Sequence, residues 1–406
     1  MKSCRICKSQ QLIKFLSLGN QPHCNSFLRS EELNQTEPSW PLELMYCQDC
    51  HLVQLSCVVD PDVMFRSYVY VSGTTKTLNE HFRQSATNLV EKFQLSPDSL
   101  VVDIGSNDGT FLQHFKNLGM NVVGVDPATN IAQLANERGI ETINNFFTEE
   151  TARKIRQEKG SAALITAAGV FFHIDDMDDV CRGIYELLDD RGILHIQAIY
   201  LGSMLQQNSF DNVYHEHVSY YTLHPLIHLF NRFSLTVFDV GYSEIHGGSL
   251  LVYVCKGDAY PVRESVKKQL DYERSQGWDT LKPYQEFAQR VQDIRQQLTS
   301  LLSELKSQGK RIAAYTAPAK GNTLLNYCQI GTNSLDYAVE KAPLKVNLYT
   351  PGMHIPVMDE TEAMKNPPDY FLLLAWNFKE ELLQKNQAYR DQGGKFIIPI
   401  PTPYIV

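Results

Sequence analysis

Six of the nine cysteines lie in the first 57 residues, and four of these six form two Cys-x-x-Cys pairs. Each pair can bring two thiolates to one metal ion, and two pairs supply the four sulfur ligands of a tetrahedral zinc site. The spacing alone leaves a redox pair, a disulfide or a four-sulfur iron site as alternatives. Four thiolates close the coordination shell, so we expect a structural zinc site without an open position for substrate. The predicted ligands are Cys4, Cys7, Cys47 and Cys50, and the nearby His23, Cys24, His51 and Cys57 are interpreted as packing or surface residues.

A second motif places glycines and acids where a nucleoside cofactor can bind. The segment DIGSNDGT follows an apolar run, and its Gly105 and Gly109 let the backbone approach a ligand closely. Asp126 ends the next apolar run, where a carboxylate can accept hydrogen bonds from both ribose hydroxyls. Asp103, or a water near it, would meet the amino-acid end of a cationic cofactor. The segment is not the GxGxxG dinucleotide fingerprint, and the alternative is a strand-turn-helix without a ligand.

Histidines are concentrated in one region, since seven of the twelve lie between His173 and His246. His173 follows an apolar run at the predicted carboxyl end of a strand, which is where open α/β sheets bind ligands. His215 and His217 flank Glu216 shortly after the next predicted strand. A histidine has a reference pKa of about 6.5 and therefore suits general-base chemistry.

The last candidate is a loop near the C-terminus, APAKGN, which follows the predicted strand 311–316. Lys320 and the free N–H groups at the start of the next helix can hold a phosphate. Pro318 is also comfortable in a first helical turn, so a plain capped helix is the alternative.

The elements that must position these residues alternate between strand and helix. Strands predicted at 100–105, 121–126, 162–166 and 192–200 indicate a parallel sheet with helices on both faces. Segments 238–240 and 249–255 predict an antiparallel pair that closes it. The later strands are predicted at 311–316, 335–339, 370–375 and 395–400. We divide this α/β chain into a zinc module (1–60), a connecting segment that contributes to the active site (61–92), a first α/β domain (93–258), a helical linker (259–309) and a smaller α/β domain (310–406).

Composition narrows the class of protein. The 406 residues are 43% hydrophobic and 20% charged, as in ordinary globular proteins, and the net charge of −9 argues against nucleic acid as a partner. No apolar run reaches the length of a transmembrane helix, and the first residues lack the apolar run of a signal peptide. We therefore expect no membrane partner, a cytoplasmic location, and a monomer or a small homo-oligomer.

Beyond these arguments, the DIGSNDGT and GVDP segments resemble motifs of class I S-adenosylmethionine-dependent methyltransferases. The whole chain is similar to the zinc-containing nucleotide-sugar C-methyltransferases of deoxysugar biosynthesis, of the kind that methylate C-3. The similarity includes YVYVSGTT (68–75), YHEHVSYY (214–221), HGGSL (246–250) and APAKGN (317–322). It implies a Rossmann-like methyltransferase domain that binds S-adenosylmethionine in 93–258. It also implies a smaller Rossmann-like domain in 310–406 that helps to bind a nucleotide-linked 4-keto-deoxysugar.

The resemblance further implies roles for individual residues. His217 would be the base that removes a proton beside the ketone, so that the resulting carbanion attacks the methyl group. The sugar site would be lined by Tyr214, Glu216, His173 and Tyr68. The cofactor contacts would be Asp103, Gly105, Asn107, Asp126, Pro127 and Phe147, and further substrate contacts would be Lys320, Asn322 and His246. We interpret His215, Tyr220 and Tyr221 as packed residues, and a second possible role of Glu216 is to hold the tautomer of His217.

Two positions depart from the family pattern and leave the nucleotide and sugar open: Gly169 stands where the family often has Asn, and 340–345 lacks the usual polar pattern. One alternative function is an O- or N-methyltransferase, which needs only a positioned hydroxyl or amine and a base. Another is a catalytically inactive binding protein with a zinc ribbon and a methyltransferase fold. The retained Asp103, Gly105, Asp126, His173 and His217 argue against the inactive protein.

Overall fold

The computed structural model describes residues 3–66, 71–74 and 76–406, so the predicted site residue Tyr68 lies outside the described residues. The N-terminal part is a hairpin of β1 (Leu12–Gln21) and β2 (Trp40–Cys47), followed by β3 (Val53–Leu55). A fourth strand of this sheet, Ser219–Tyr220, comes from much later in the chain and pairs with β3. The two cysteine pairs therefore lie at the ends of a hairpin, as their long separation allowed.

Two helices lead from this module to the first α/β domain, α1 (Pro61–Phe65) and α2 (Lys76–Phe93). The domain's strands are β4 (Leu100–Ile104), β5 (Asn121–Val125), β6 (Thr142–Ile143), β7 (Ala162–Ala168), β8 (Leu188–Ile199), the short β9 (Ser219–Tyr220) of the N-terminal sheet, β10 (Leu235–Ser243) and β11 (Ser249–Lys256). Its helices are α3 (Thr110–Asn117), α4 (Thr129–Glu137), α5 (Glu149–Lys159), α6 (Met177–Leu187), α7 (Leu201–Gln207) and α8 (Leu223–Asn231).

Seven of these strands form one sheet in the order β6-β5-β4-β7-β8-β11-β10. The strands from β6 to β8 run parallel, and β11 is antiparallel to both of its neighbours. Every residue of β4 is buried, as expected for a strand with helices on both faces. The predicted parallel sheet and its closing antiparallel pair are confirmed.

The predicted helical linker contains two helices, α9 (Glu264–Ser275) and α10 (Lys282–Ser307). The break between α9 and α10 falls before Pro283, which lies in the first turn of α10. A backbone N–H in that turn has no partner within the helix, so proline can stand there without loss of a hydrogen bond. Apolar residues recur every three or four positions from Tyr284 to Leu305 and form a buried stripe. The Tyr284 ring packs against Tyr46 of β2, with 4.9 Å between ring centroids, so α10 supports the N-terminal hairpin.

The C-terminal domain is a six-stranded sheet in the order β14-β13-β12-β15-β16-β17, parallel except for its last strand. Its strands are β12 (Ile312–Tyr315), β13 (Ala338–Glu340), β14 (Val357–Asp359), β15 (Tyr370–Leu373), β16 (Lys395–Ile398) and β17 (Tyr404–Ile405). Its helices are α11 (Ala319–Cys328), α12 (Glu360–Ala363), α13 (Lys379–Lys385) and α14 (Gln387–Asp391). Among the described residues, none of the helices is both long and apolar enough to cross a membrane.

Candidate active site

The four predicted metal ligands converge at the open ends of the N-terminal hairpin. The Sγ atoms of Cys4 and Cys50 are 3.4 Å apart, those of Cys7 and Cys47 are 3.5 Å apart, and all four lie within 4.8 Å of one another. Zinc–sulfur bonds of about 2.3 Å in a tetrahedron place the sulfurs roughly 3.8 Å apart. The four thiols therefore fit a zinc ion that closes its shell and leaves no position for substrate.

The segment between Cys4 and Cys7 is hydrogen-bonded to the loop that carries His173. Arg5, between the first two cysteines, is almost fully buried, and its Nε donates to Asp175 Oδ1 at 2.7 Å. Its Nη1 donates to the Leu55 carbonyl at 3.1 Å. Because Asp175 follows His173 by two residues, the metal module helps to fix the position of that loop.

The cofactor loop lies at the carboxyl end of β4 and has no room for a side chain at Gly105. Gly105 has φ +67°, and a Cβ atom there would lie 2.6 Å from Val170 Cγ2. Burial raises the pKa of Asp126, while the backbone N–H groups of Asn107 and Ala128 each donate to one of its carboxylate oxygens at 2.9 Å. Burial also raises the pKa of Asp103 to about 7, and this carboxylate accepts a 2.5 Å bond from Thr166 Oγ1.

Three further predicted cofactor residues lie around this loop. Asn107 Oδ1 accepts a bond from the backbone N–H of Ser72 at 2.9 Å, so the segment before α2 docks on the loop. Pro127 directly follows Asp126, and its carbonyl accepts a bond from Asn144 at 3.0 Å. Phe147 is buried, and its ring packs against Gly183 of α6. A cofactor contact of Phe147 stays a prediction.

The YHEH segment forms a turn that brings Tyr214 and His217 together. The backbone N–H of His217 donates to the Tyr214 carbonyl at 2.9 Å, and the two rings are 3.8 Å apart between centroids. The His173 ring stacks on His217 at 5.2 Å, with 21° between the planes. Two of the predicted sugar-site residues, Tyr214 and His173, therefore lie against the predicted base His217.

His217 has a defined tautomer. Its Nδ1 lies 2.8 Å from the carbonyl oxygen of Asn212, which can only accept, so Nδ1 carries the hydrogen and Nε2 carries the lone pair. Burial and the neighbouring His173 hold the pKa of His217 well below its usual range, while Glu216 opposes them. Burial also lowers the pKa of His173 to about 4. Both imidazoles are therefore neutral near pH 7.

Glu216 is bound by the N-terminal module. Its Oε1 accepts bonds from Asn25 Nδ2 at 2.6 Å and from His23 Nε2 at 3.0 Å, and Cys24 Sγ lies 3.9 Å away. The alternative expectation that Glu216 holds the tautomer of His217 is wrong, because the Asn212 carbonyl accepts the Nδ1 hydrogen. The interpretation of His23 and Cys24 as mere packing residues also needs correction, because both contact this buried carboxylate.

The C-terminal domain faces the same region. Burial lowers the pKa of His246 to about 4, and the charges of His81 and Lys320 add to this. The Lys320 ammonium lies 5.0 Å from the ring centroid of Trp376 and donates to Asn377. Asn322 is fully buried, and its Nδ2 donates to the Cys24 carbonyl at 2.7 Å, which is a contact between modules. A substrate contact of Asn322 stays a prediction.

The residues interpreted as packed are buried as expected. His215 Nε2 lies 3.3 Å from the Trp40 carbonyl, and the hydroxyl of Tyr221 donates to the Phe171 carbonyl at 3.3 Å. Tyr220 is also buried, in the short strand β9.

Comparison with known proteins decides the family. Family models match as a zinc binding domain at 4–65, a methyltransferase domain at 78–240 and a C-methyltransferase C-terminal domain at 244–401. The chain is 37% identical to the C-methyltransferase NovU of Streptomyces niveus over 404 residues, which cover 99% of this chain and 96% of that protein. The chain belongs to this C-methyltransferase family.

Two solved structures resemble less than half of this chain. The plantazolicin methyltransferase BpumL in complex with SAH is 15% identical, with a TM-score of 0.36 over 45% of this chain and 86% of that chain. Magnesium protoporphyrin IX methyltransferase from Synechocystis PCC 6803 with bound SAH is 13% identical, with a TM-score of 0.34 over 44% of this chain and 83% of that chain.

Family membership confirms the predicted methyltransferase class and the zinc-binding module of this C-methyltransferase. The α/β fold class with an additional C-terminal α/β domain is confirmed as well. Sequence reasoning missed Asn25, Asp211 and Asn212. The Asn212 contact is made by a backbone carbonyl, which leaves no signature in the residue type. Asn25 lies almost 200 residues from Glu216 in the chain, and only an alignment of both segments could have linked them.

Proposed function

We propose that this protein transfers a methyl group from S-adenosylmethionine to a carbon beside the ketone of a nucleotide-linked 4-keto-deoxysugar. The observation that carries the proposal is the bond from Nδ1 of the buried His217 to the Asn212 carbonyl, which keeps the Nε2 lone pair available. The identity to a named C-methyltransferase over almost the whole chain supports carbon as the acceptor over oxygen or nitrogen.

The loops after β4, β5 and β7 fit the cofactor. Gly105 presents bare backbone, and Asp126 presents a buried carboxylate that can accept ribose hydroxyls. No atom lies within 4 Å of the place a Cβ of Gly169 would occupy, so there is open space beside these loops. S-adenosylmethionine supplies an electrophilic methyl group when it is bound.

His217 performs the proton transfer in this proposal. Its Nε2 takes the proton from the carbon beside the ketone, and the electron pair of the C–H bond delocalises onto the ketone oxygen. The charge of Glu216 raises the pKa of His217 against the effect of burial, so the imidazolium that forms has a counter-charge. General-base assistance of this kind contributes roughly 10²–10⁴ in rate.

Tyr214 can stabilise the enolate oxygen. Burial, and then the charge of Glu216, hold the pKa of its hydroxyl well above the usual range, so Tyr214 keeps its proton and can donate a hydrogen bond. A donor aimed at a developing negative charge is typically among the largest contributions to catalysis.

The nucleotide end of the substrate belongs, in this proposal, between the two α/β domains. Lys320 lies in the first turn of α11 and brings a partly buried positive charge, which suits a diphosphate. In the segment that departs from the family pattern, Lys345 donates to the Ala317 carbonyl at 2.9 Å, so it is packed against the same loop. None of the nine cysteines, all of which lie in the described residues, forms a disulfide bond, which suits a reducing cytoplasm as the location.

The test is mass spectrometry of wild type and His217→Ala with S-adenosylmethionine and a panel of nucleotide-linked 4-keto-6-deoxysugars. We expect one methyl on carbon, a loss of roughly 10²–10⁴ in rate in the variant, and unchanged cofactor binding. His228→Ala, a histidine on α8 away from His217, is the control and should keep full activity.

Exchange of the substrate proton in deuterated water separates the chemistries. A carbon methyltransferase exchanges the proton beside the ketone, whereas an O- or N-methyltransferase does not. Methylation at wild-type rate in His217→Ala would transfer the base role to another residue. Tight cofactor binding with no product from any sugar would instead favour the inactive binding protein.

A further inference from the structure

The turn that precedes the YHEH segment is anchored by the C-terminal domain. Asp211, in the short helical turn Phe210–Asn212, is fully buried, and its Oδ2 accepts a 2.6 Å bond from Trp376 Nε1. Within the described residues, its Oδ1 has no hydrogen-bond partner. The neighbouring Phe210 ring packs edge-on against Tyr327 of α11, at 5.4 Å between centroids. Two adjacent side chains of this turn therefore contact the C-terminal domain.

The next residue of the same turn makes the bond that matters for the base. The carbonyl of Asn212 accepts the Nδ1 hydrogen of His217 at 2.8 Å. A neutral imidazole has two tautomers, and only the one with hydrogen on Nδ1 leaves Nε2 able to take a proton. The position of the turn thus determines which nitrogen of His217 is basic.

We propose that Asp211 is a positioning residue that fixes, through the Asn212 carbonyl, the tautomer of His217 with a free Nε2, and that its bond to Trp376 makes this tautomer depend on the docked C-terminal domain. This inference rests on the proposed role of His217 as the base. Asp211 does not need to touch the substrate, because it acts through the backbone of its own turn.

The same tryptophan also connects the turn to the nucleotide end of the site. The Lys320 ammonium lies 5.0 Å from the centroid of the Trp376 ring, while the indole N–H of that ring donates to Asp211. A phosphate that binds Lys320 would therefore contact the residue that lies against Trp376, and Trp376 holds the turn through Asp211. The base is fully oriented when the C-terminal domain is in place.

The experiment compares Trp376→Phe, which lacks the donor, and Asp211→Leu, which lacks the acceptor but has a similar size, with wild type. Trp376→Phe keeps an aromatic ring for Lys320 and removes only the indole donor. Asp239→Asn is the control, because Asp239 is also a buried aspartate, bonded to Lys92 and Ser265 in another part of the fold. The tautomer is read from ¹⁵N NMR of protein labelled with ¹⁵N-histidine, and the His217 signals are identified by their loss in His217→Gln.

In wild type we expect the His217 signals of a single tautomer with hydrogen on Nδ1. In Trp376→Phe and Asp211→Leu we expect a mixture of tautomers and a kcat lower by roughly 10–100-fold, as for other orienting partners of histidine, with KM changed less than threefold. Asp239→Asn should keep one tautomer and a kcat within twofold of wild type.

One tautomer and an unchanged kcat in Trp376→Phe would overturn the inference, and this variant decides the matter if Asp211→Leu does not fold. A failure of the proposed function looks different. In that case His217→Gln itself would keep the wild-type rate of proton exchange, whatever the tautomer in the other variants.

Discussion

Replacing Asn25 by aspartate tests the contact between the zinc module and Glu216. Asn25 Nδ2 donates to Glu216 Oε1 at 2.6 Å, and Glu216 is only 1% exposed. Asn25→Asp changes the size of the side chain very little but places a second carboxylate there. At 2.6 Å and an effective dielectric constant of about 20, two full charges repel by roughly 6 kcal/mol. The folded protein avoids most of this repulsion by keeping one carboxyl protonated.

The retained proton makes the destabilisation depend on pH. The pKa of the new carboxyl is raised in the folded state above its unfolded value of about 3.9. Stability is therefore unaffected below about pH 4, and it falls by roughly 1.4 kcal/mol per pH unit as the pH rises towards the folded pKa. The melting temperature of Asn25→Asp should drop clearly more between pH 5 and pH 8 than that of wild type.

The assay is thermal unfolding of wild type, Asn25→Ala and Asn25→Asp at these two pH values. Asn25→Ala loses the bond to a charged group, worth about 1.5–3 kcal/mol, but adds no charge, so its loss should be similar at both. The double variant Asn25→Asp/Glu216→Gln has a donor and an acceptor again, with their positions exchanged. It should regain stability but not activity, because the charge beside His217 is gone.

Two results would refute this reasoning. Equal melting temperatures of Asn25→Asp and Asn25→Ala at pH 8 would mean that no carboxylate faces residue 25. A double variant no more stable than Asn25→Asp would mean that the two side chains do not form a pair.

Three further predictions concern the metal and the cofactor loop. Cys47→Ser should abolish zinc binding and lower the melting temperature by several degrees, whereas Cys57→Ser should keep the ion. Atomic emission measures the zinc content, and one ion per chain in Cys47→Ser would contradict the four-sulfur site. Gly105→Ala forces φ +67° on alanine and a 2.6 Å contact with Val170, so calorimetry should show that the cofactor binds at least tenfold more weakly. The control Gly160→Ala also has a positive φ, +91°, but open space around it, and should bind the cofactor normally. Because the pKa of Asp103 in the folded protein is raised to about 7, stability is lost as the pH rises from about 4 to 7. Asp103→Asn should reduce this loss in thermal unfolding. An unchanged dependence of the melting temperature on pH would argue against a buried carboxyl that retains its proton.

The core of the fold was predictable because its strands are short apolar runs that end at glycine or aspartate. The predicted strands at 100–105 and 121–126 agree with β4 and β5 to within one residue. The metal ligands were predictable for a similar reason, since two Cys-x-x-Cys pairs have few other uses. In contrast, β14 and β17 have three and two residues, too few to show a period.

The site was less predictable because its contacts join distant segments. A strict alternation would have separated Tyr214 from His217, but the segment is a turn and brings them together. The partners of Glu216 come from residues 23–25, and the partner of His217 is a backbone carbonyl. Such contacts depend on how three modules pack, which local sequence patterns do not encode.

The ribosome makes strand β9 long after the other strands of the N-terminal sheet, so this sheet is completed late. All four cysteine ligands have been made by residue 50, but Val53 of β3 pairs with Tyr220, about 170 residues later. At about 5–20 residues per second, the ribosome needs roughly 8–30 s to supply this partner. Until then the edge of β3 that pairs with β9 is unpaired, and an unpaired apolar edge is a template for aggregation. Because β9 begins two residues after His217, the last step in completing the N-terminal sheet also places the turn that carries His217.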